Sequence, residues 1–201
     1  MAADYLTEIK KRQPNGPYHL CGYSSGGLVA FEMARRLTES GDDVGWVGLF
    51  DTTMSPLRWR VGTWRKIGAG QIARLASVLR AVSIRTWPAV LRASGEHLRA
   101  WRLSIRAAPA IGIRVAASAL VASARYRAGF YGGELTLFSP MERLPGLPPL
   151  DSIWRPHART VVVVDTPGTH LTMLSPRHAA ATAACVTRSL PPIPTPLRHP
   201  A

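Results

Sequence analysis

The sequence predicts an α/β fold with a mostly parallel sheet flanked by helices, and three observations carry that prediction. Four short apolar segments are each bounded by Gly, Pro, Asp or Ser, an amphipathic helical pattern joins the first two, and a second helical pattern follows the last. Strands that alternate with helices imply parallel pairing, with the sheet covered on both faces.

Ahead of the first strand stands "MAADYLTEIKKRQPNG", which holds about one helix and no apolar signal-peptide core. The first strand is read at 17–23, "PYHLCGY", and it runs directly into "SSGGLVAFEMARRL". There Val29, Ala30, Met33, Ala34 and Leu37 recur at helical spacing, Glu32, Arg35, Arg36 and Glu39 take the opposite face, and Gly41 ends the helix. The second strand is read at 44–50, "VGWVGLF", the third at 133–138, "GELTLF", and the fourth at 160–164, "TVVVV". A last helix is expected from about 176 to 189, opened by "SP" and closed by "LPPIP".

Between the second and third strands the pattern changes. From about 56 to 129 there is no strand pattern, and 13 of the arginines lie there. Ile72, Leu75, Leu79 and Val82 form one apolar stripe, and Leu91, Leu98, Trp101 and Ile105 another. This stretch is expected to be a helical lid, at about 57–129. The final residues, 191–201, are Pro-rich and expected to be a disordered tail.

Composition limits the classes of function. With 201 residues, 46% of them hydrophobic, the chain is long enough for one domain with its own core. The longest uncharged stretch of the middle region, 115–124, is too short to cross a bilayer, so a cytoplasmic protein without a transmembrane segment is expected. The two cysteines, Cys21 and Cys185, have no metal-binding spacing, and neither a zinc site nor a disulfide framework is expected. The net charge of +13 comes almost wholly from arginine and suits an acidic partner or simply solvated helix faces. No nucleic-acid-binding motif accompanies it.

The chemistry is concentrated at Ser24. Gly22-Tyr23-Ser24-Ser25-Gly26 fits G-x-S-x-G, in which a sharp strand-to-helix turn exposes the serine hydroxyl and small residues on either side let strand and helix approach. A serine needs a base to take its proton and a carboxylate to orient that base. Of six histidines, His170 in "DTPGTHLTML" follows the last strand and would reach the same carboxyl edge of the sheet as Ser24. His19 lies in a strand, His97 in the arginine-rich region, His157 before the last strand, His178 in the last helix and His199 in the tail. For the carboxylate, Asp51 ends the second strand and Glu142 follows the third, while Asp165 lies close to His170 along the chain and suits bracing of the loop. Geometry gives Asp51 a modest lead. In the implied acyl transfer Ser24 attacks, His170 moves the proton, and the backbone N–H of Ser25 stabilises the oxyanion.

"GPYHLCGYSSGGLVAFEMARRL", "VGLFDTTMSP", "YGGELTLFSP" and "VVVVDTPGTHLTML" resemble, in order, successive blocks of the thioesterase domains of nonribosomal peptide and polyketide synthetases. The likeness spans about 3–188 and is weak through the arginine-rich region. It implies a partial α/β-hydrolase fold over 1–190, with Ser24, Asp51 and His170 as the catalytic triad and the lid at 57–129. The implied function is release of acyl or peptidyl chains from the phosphopantetheine arm of a carrier protein, by hydrolysis or cyclisation, in secondary-metabolite biosynthesis. No cofactor is expected on the chain itself, and the acidic carrier protein, or the rest of a synthetase, is the implied partner. Thr169 and Ser25 stand where the family often has an acidic and a bulky residue. The family also has strands and a Gly-rich oxyanion loop ahead of its nucleophile, which have no counterpart in 1–16. The competing expectation is therefore an inactive thioesterase-like fragment, or a noncatalytic basic module for an acidic protein or lipid surface.

Overall fold

The computed structural model describes residues 1–54, 119, 121–143 and 147–192. The chain divides into two units. The first comprises Met1–Thr53, Ala128–Pro145 and Pro149–Ala201 and holds every element named below. Of the second, residues 121–125 are helical. Most of the expected lid, His97, the tail from 193 and His199 lie outside the described residues.

Helix α1 (Ala2–Arg12) is amphipathic but buries no residue. It rests against α2 (Ser25–Glu39), with Lys10 Nζ 2.6 Å from Asp42 Oδ2 beyond the end of α2. Strands β1 (Tyr18–Tyr23), β2 (Val44–Phe50), β3 (Tyr131–Pro140) and β4 (Ala158–Thr166) form one four-stranded sheet in the order β1-β2-β3-β4. Every pairing is parallel, as the alternation of strands and helices predicts. A five-residue helix α3 (Leu150–Trp154) and a 3-10 turn at Arg155–His157 precede β4, and α4 (Pro176–Ser189) follows it.

One face of the sheet is closed by α2, which packs on β1, β2 and β3. Its apolar stripe buries Leu28, Phe31, Ala34 and Leu37, and the Phe31 ring packs against Trp154 at a tilt of 58°, with centroids 4.9 Å apart. The leucines and the phenylalanine each contribute about 1.5–3 kcal/mol of burial free energy. On the other face Trp46, Phe50, Phe138, Met173 and Cys185 form a cluster beneath α4 and the loop before it. The Trp46 indole lies across Gly48, where a Cβ would come within 2.2 Å of the ring, and its Nε1–H donates to Thr136 Oγ1 at 3.1 Å.

Two features depart from the sequence reading. Helix α3 is absent from it, because five residues do not show a helical period; Leu150, Ile153 and Trp154 are nevertheless buried, and Trp154 Nε1–H donates to the Thr52 carbonyl at 2.8 Å. Strand β4 reads as a run for a covered strand, yet Val162 and Val163 remain 40% and 45% exposed. Among the described residues β4 pairs with β3 alone, so its apolar run marks strand propensity rather than burial.

Candidate functional site

The site is assembled at the carboxyl edge of the sheet, where each strand end is fastened to the next. The Ser24 N–H donates to the Phe50 carbonyl at 2.9 Å, the Asp51 N–H to Phe138 at 2.9 Å and the Met141 N–H to Thr166 at 2.8 Å. The loops after β1, β2, β3 and β4 thus leave the sheet side by side.

Ser24 is the N-cap of α2, with φ 54° and ψ −124°. This left-handed conformation is costly for a residue with a Cβ and persists only where its surroundings impose it. The imposing contact is visible at Gly22, where a Cβ would lie 2.3 Å from the Gly26 carbonyl oxygen and 2.6 Å from the Gly27 nitrogen. Gly26 behaves differently from the sequence reading: a Cβ there would meet nothing within 4 Å. Its backbone, not its missing side chain, is what the strand approaches. The second close approach falls on Gly27, where a Cβ would sit 1.9 Å from Thr52 Oγ1, so α2 also seats against the turn after β2. Ser25 begins α2, and the first amide groups of a helix have no intrahelical acceptor and carry the positive end of its dipole.

Asp51 follows β2 directly and also has a positive φ, 38°. Its Oδ2 lies 2.7 Å from His170 Nδ1, across 119 residues of chain. The Asp51 side chain is 10% exposed and that of His170 41%, so a sheltered carboxylate holds an accessible ring. Tyr23, the residue before Ser24, stacks on the His170 ring with centroids 4.9 Å apart and an interplanar angle of 24°, and its hydroxyl donates to the His170 carbonyl. Burial first, and Asp51 second, push the Tyr23 phenol above its ordinary range, keeping it a neutral donor. Among the described residues Ser24 Oγ makes no hydrogen bond, to His170 or to another group.

The other candidates are placed apart from this pair. Glu142 sits at the same edge, but its side chain is exposed and its backbone N–H donates to the Gly168 carbonyl at 3.0 Å. Asp165 is an exposed residue of β4. His157 Nδ1 lies 3.2 Å from the Gly129 carbonyl, His19 packs on Gly45 and His178 packs on Gly168. Sequence reasoning passed over Tyr23 as a contact of His170, Gly27 as the second close approach, and Arg143, whose Nε lies 3.6 Å from Asp51 Oδ1. Only Gly27 carried a signal, as the extra glycine in "SSGG". Among the described residues no group of His, Cys, Asp or Glu could hold a metal ion, and no helix is long and apolar enough to cross a membrane.

Comparison with known proteins gives the chain's family and fold. The chain is 53% identical over 51 residues to an inactive atromentin synthetase of Paxillus involutus, a match covering 25% of this chain and 5% of that protein. It is 34% identical over 87 residues to a nonribosomal peptide synthetase of Aspergillus terreus, covering 42% of this chain and 9% of the synthetase. These relatives are thus far longer than the chain. Among solved structures, the NocB thioesterase domain in covalent complex with a fluorophosphonate nocardicin G analog superimposes with a TM-score of 0.61 at 23% identity, over 95% of this chain and 73% of that one. The thioesterase domain model matches residues 1–190. With its parallel sheet, its serine at the strand-to-helix turn and this match over nearly its whole length, the chain belongs to the thioesterase domain family and has the α/β-hydrolase fold.

Proposed function

We propose that this domain releases acyl or peptidyl chains from a phosphopantetheine carrier protein in nonribosomal peptide or polyketide biosynthesis, through a Ser24–His170–Asp51 triad. The observation that carries this reading is the 2.7 Å Asp51–His170 pair at the sheet edge where the turn presents Ser24. Asp51 fixes the ring with Nδ1 protonated, leaving Nε2 as the base.

In the proposed reaction Ser24 Oγ attacks the thioester carbonyl carbon as its proton passes to His170 Nε2. The oxygen of the tetrahedral intermediate takes negative charge against the Ser25 N–H and the N-terminal end of α2, which favours an anion. The C–S bond then breaks, His170 returns the proton to the pantetheine thiolate, and an ester on Ser24 remains. Water, or a nucleophile of the chain itself, gives its proton to His170 and attacks this ester, which returns the Ser24 hydroxyl and frees an acid or a ring. No cofactor takes part. The arginines at 57–129 supply charge that suits an acidic carrier protein.

Hydrolysis of an acyl-N-acetylcysteamine thioester by the purified chain tests the proposal, with Ser24→Ala beside it. Turnover confined to the unsubstituted protein is the expected result, together with fluorophosphonate labelling of Ser24. Equal rates for the two folded proteins, with no labelling, would leave the fold without the chemistry.

A further inference from the structure

Asp51 has two carboxylate oxygens, and the proposed triad uses one. Oδ2 is engaged by His170 Nδ1, while Oδ1 is buried and has no hydrogen-bond partner among the described residues. A buried carboxylate oxygen left without compensation is costly. The charge that faces it is Arg143, with Nε 3.6 Å from Oδ1 and a side chain only 16% exposed. An arginine is rarely buried unless it is paired. Burial lowers its tendency to hold the proton and Asp51 opposes that loss.

Arg143 is also delivered to this position by the backbone that delivers His170. It follows Met141 and Glu142, whose N–H groups donate to Thr166 and Gly168, at the end of β4 and in the loop leading to His170. The Asp51 backbone is fixed in turn by its N–H on the Phe138 carbonyl. What remains free is rotation of the carboxylate about its own bond, which would exchange or tilt the two oxygens.

We infer that Arg143 is a positioning residue for the triad proposed above, holding Asp51 by Oδ1 so that Oδ2 stays directed at His170 Nδ1. The inference rests on that triad reading for its catalytic meaning, but the contact itself is readable without turnover. Arg143 touches no reacting atom and acts only through Asp51.

The test is the exchange with water of the low-field His170 Nδ1–H proton, followed by NMR and assigned by its loss in Asp51→Asn. In Arg143→Gln of native circular dichroism, exchange should be about tenfold faster, with kcat reduced and KM little changed, and Arg143→Lys should recover much of both. Unchanged exchange in the folded Gln variant would overturn the inference. If that variant does not fold, the unsubstituted Arg143 decides: its Nε–H resonance should move on Asp51→Asn, and an unmoved resonance would sink the idea. A chain that shows the coupled resonances yet no turnover and no fluorophosphonate labelling would retire the triad reading while leaving the Arg143–Asp51 contact in place.

Discussion

Two parts of one site are built in different ways. The turn carrying Ser24 is made from neighbours: Gly22, Ser24 and Gly26 lie within five residues, and the close approach that forces the left-handed serine is between Gly22 and the first turn of α2. The pair that would serve it is made from strangers, Asp51 at the end of β2 and His170 beyond β4, joined only because the strand ends are pinned in register. The difference teaches that the presentation of Ser24 is local and steric, whereas the pairing of Asp51 with His170 depends on the order of the strands.

Changes at the distant pair should cost activity far more than stability. Asp51→Asn is expected to lower kcat by about 10⁴, the magnitude known for the equivalent change in a serine protease triad, with little change in melting temperature. A loss below about tenfold in a folded protein would mean that the pair does not orient the base.

At the local turn the balance should reverse. Gly22→Ala places a methyl group 2.3 Å from a backbone oxygen that cannot swing away, so chemical denaturation should show a loss of about 3 kcal/mol. Gly26→Ala sharpens the contrast within a single motif. Its Cβ meets nothing within 4 Å, and alanine favours the helix, so a gain of roughly 0.5 kcal/mol is expected. Equal losses at the two glycines would refute the assignment of the motif's steric constraint to Gly22 rather than Gly26.

Tyr23 belongs to both parts, being the residue before Ser24 and the one stacked on His170. Tyr23→Phe keeps the ring and removes the hydroxyl from the His170 carbonyl, for an expected loss of about 1 kcal/mol. The smallest effect is its pH dependence. A phenol whose folded value is raised above 10.0 favours the neutral form in the native state, so its contribution is intact below that pH and is lost as pH rises through the folded value. Stability of the unsubstituted protein at high pH should therefore fall slightly more than that of Tyr23→Phe.

Much of the architecture is legible in the sequence, for identifiable reasons. The segment 44–50 is a continuous apolar run because it is an interior strand, and β2 occupies those residues; Pro176 opens α4 because proline is tolerated in a first helical turn. The choice among Asp51, Glu142 and Asp165 rested on geometry that the chain order alone states weakly. The exposure of Val162 and Val163 was hidden because an apolar run reads the same on an outer strand as on an inner one.

The sequence by itself determined the elements whose causes are short-range: the alternation of strands and helices, the glycine-bounded turn and the serine at its tip. Tertiary structure alone decided the Asp51–His170 bond, the Tyr23 stack, the Arg143 contact and the place of Gly27 against Thr52. The physical reason is range. Steric and periodic preferences act over a few residues and leave a pattern in them, whereas these contacts arise from strand order and register, which the same local preferences allow in more than one way.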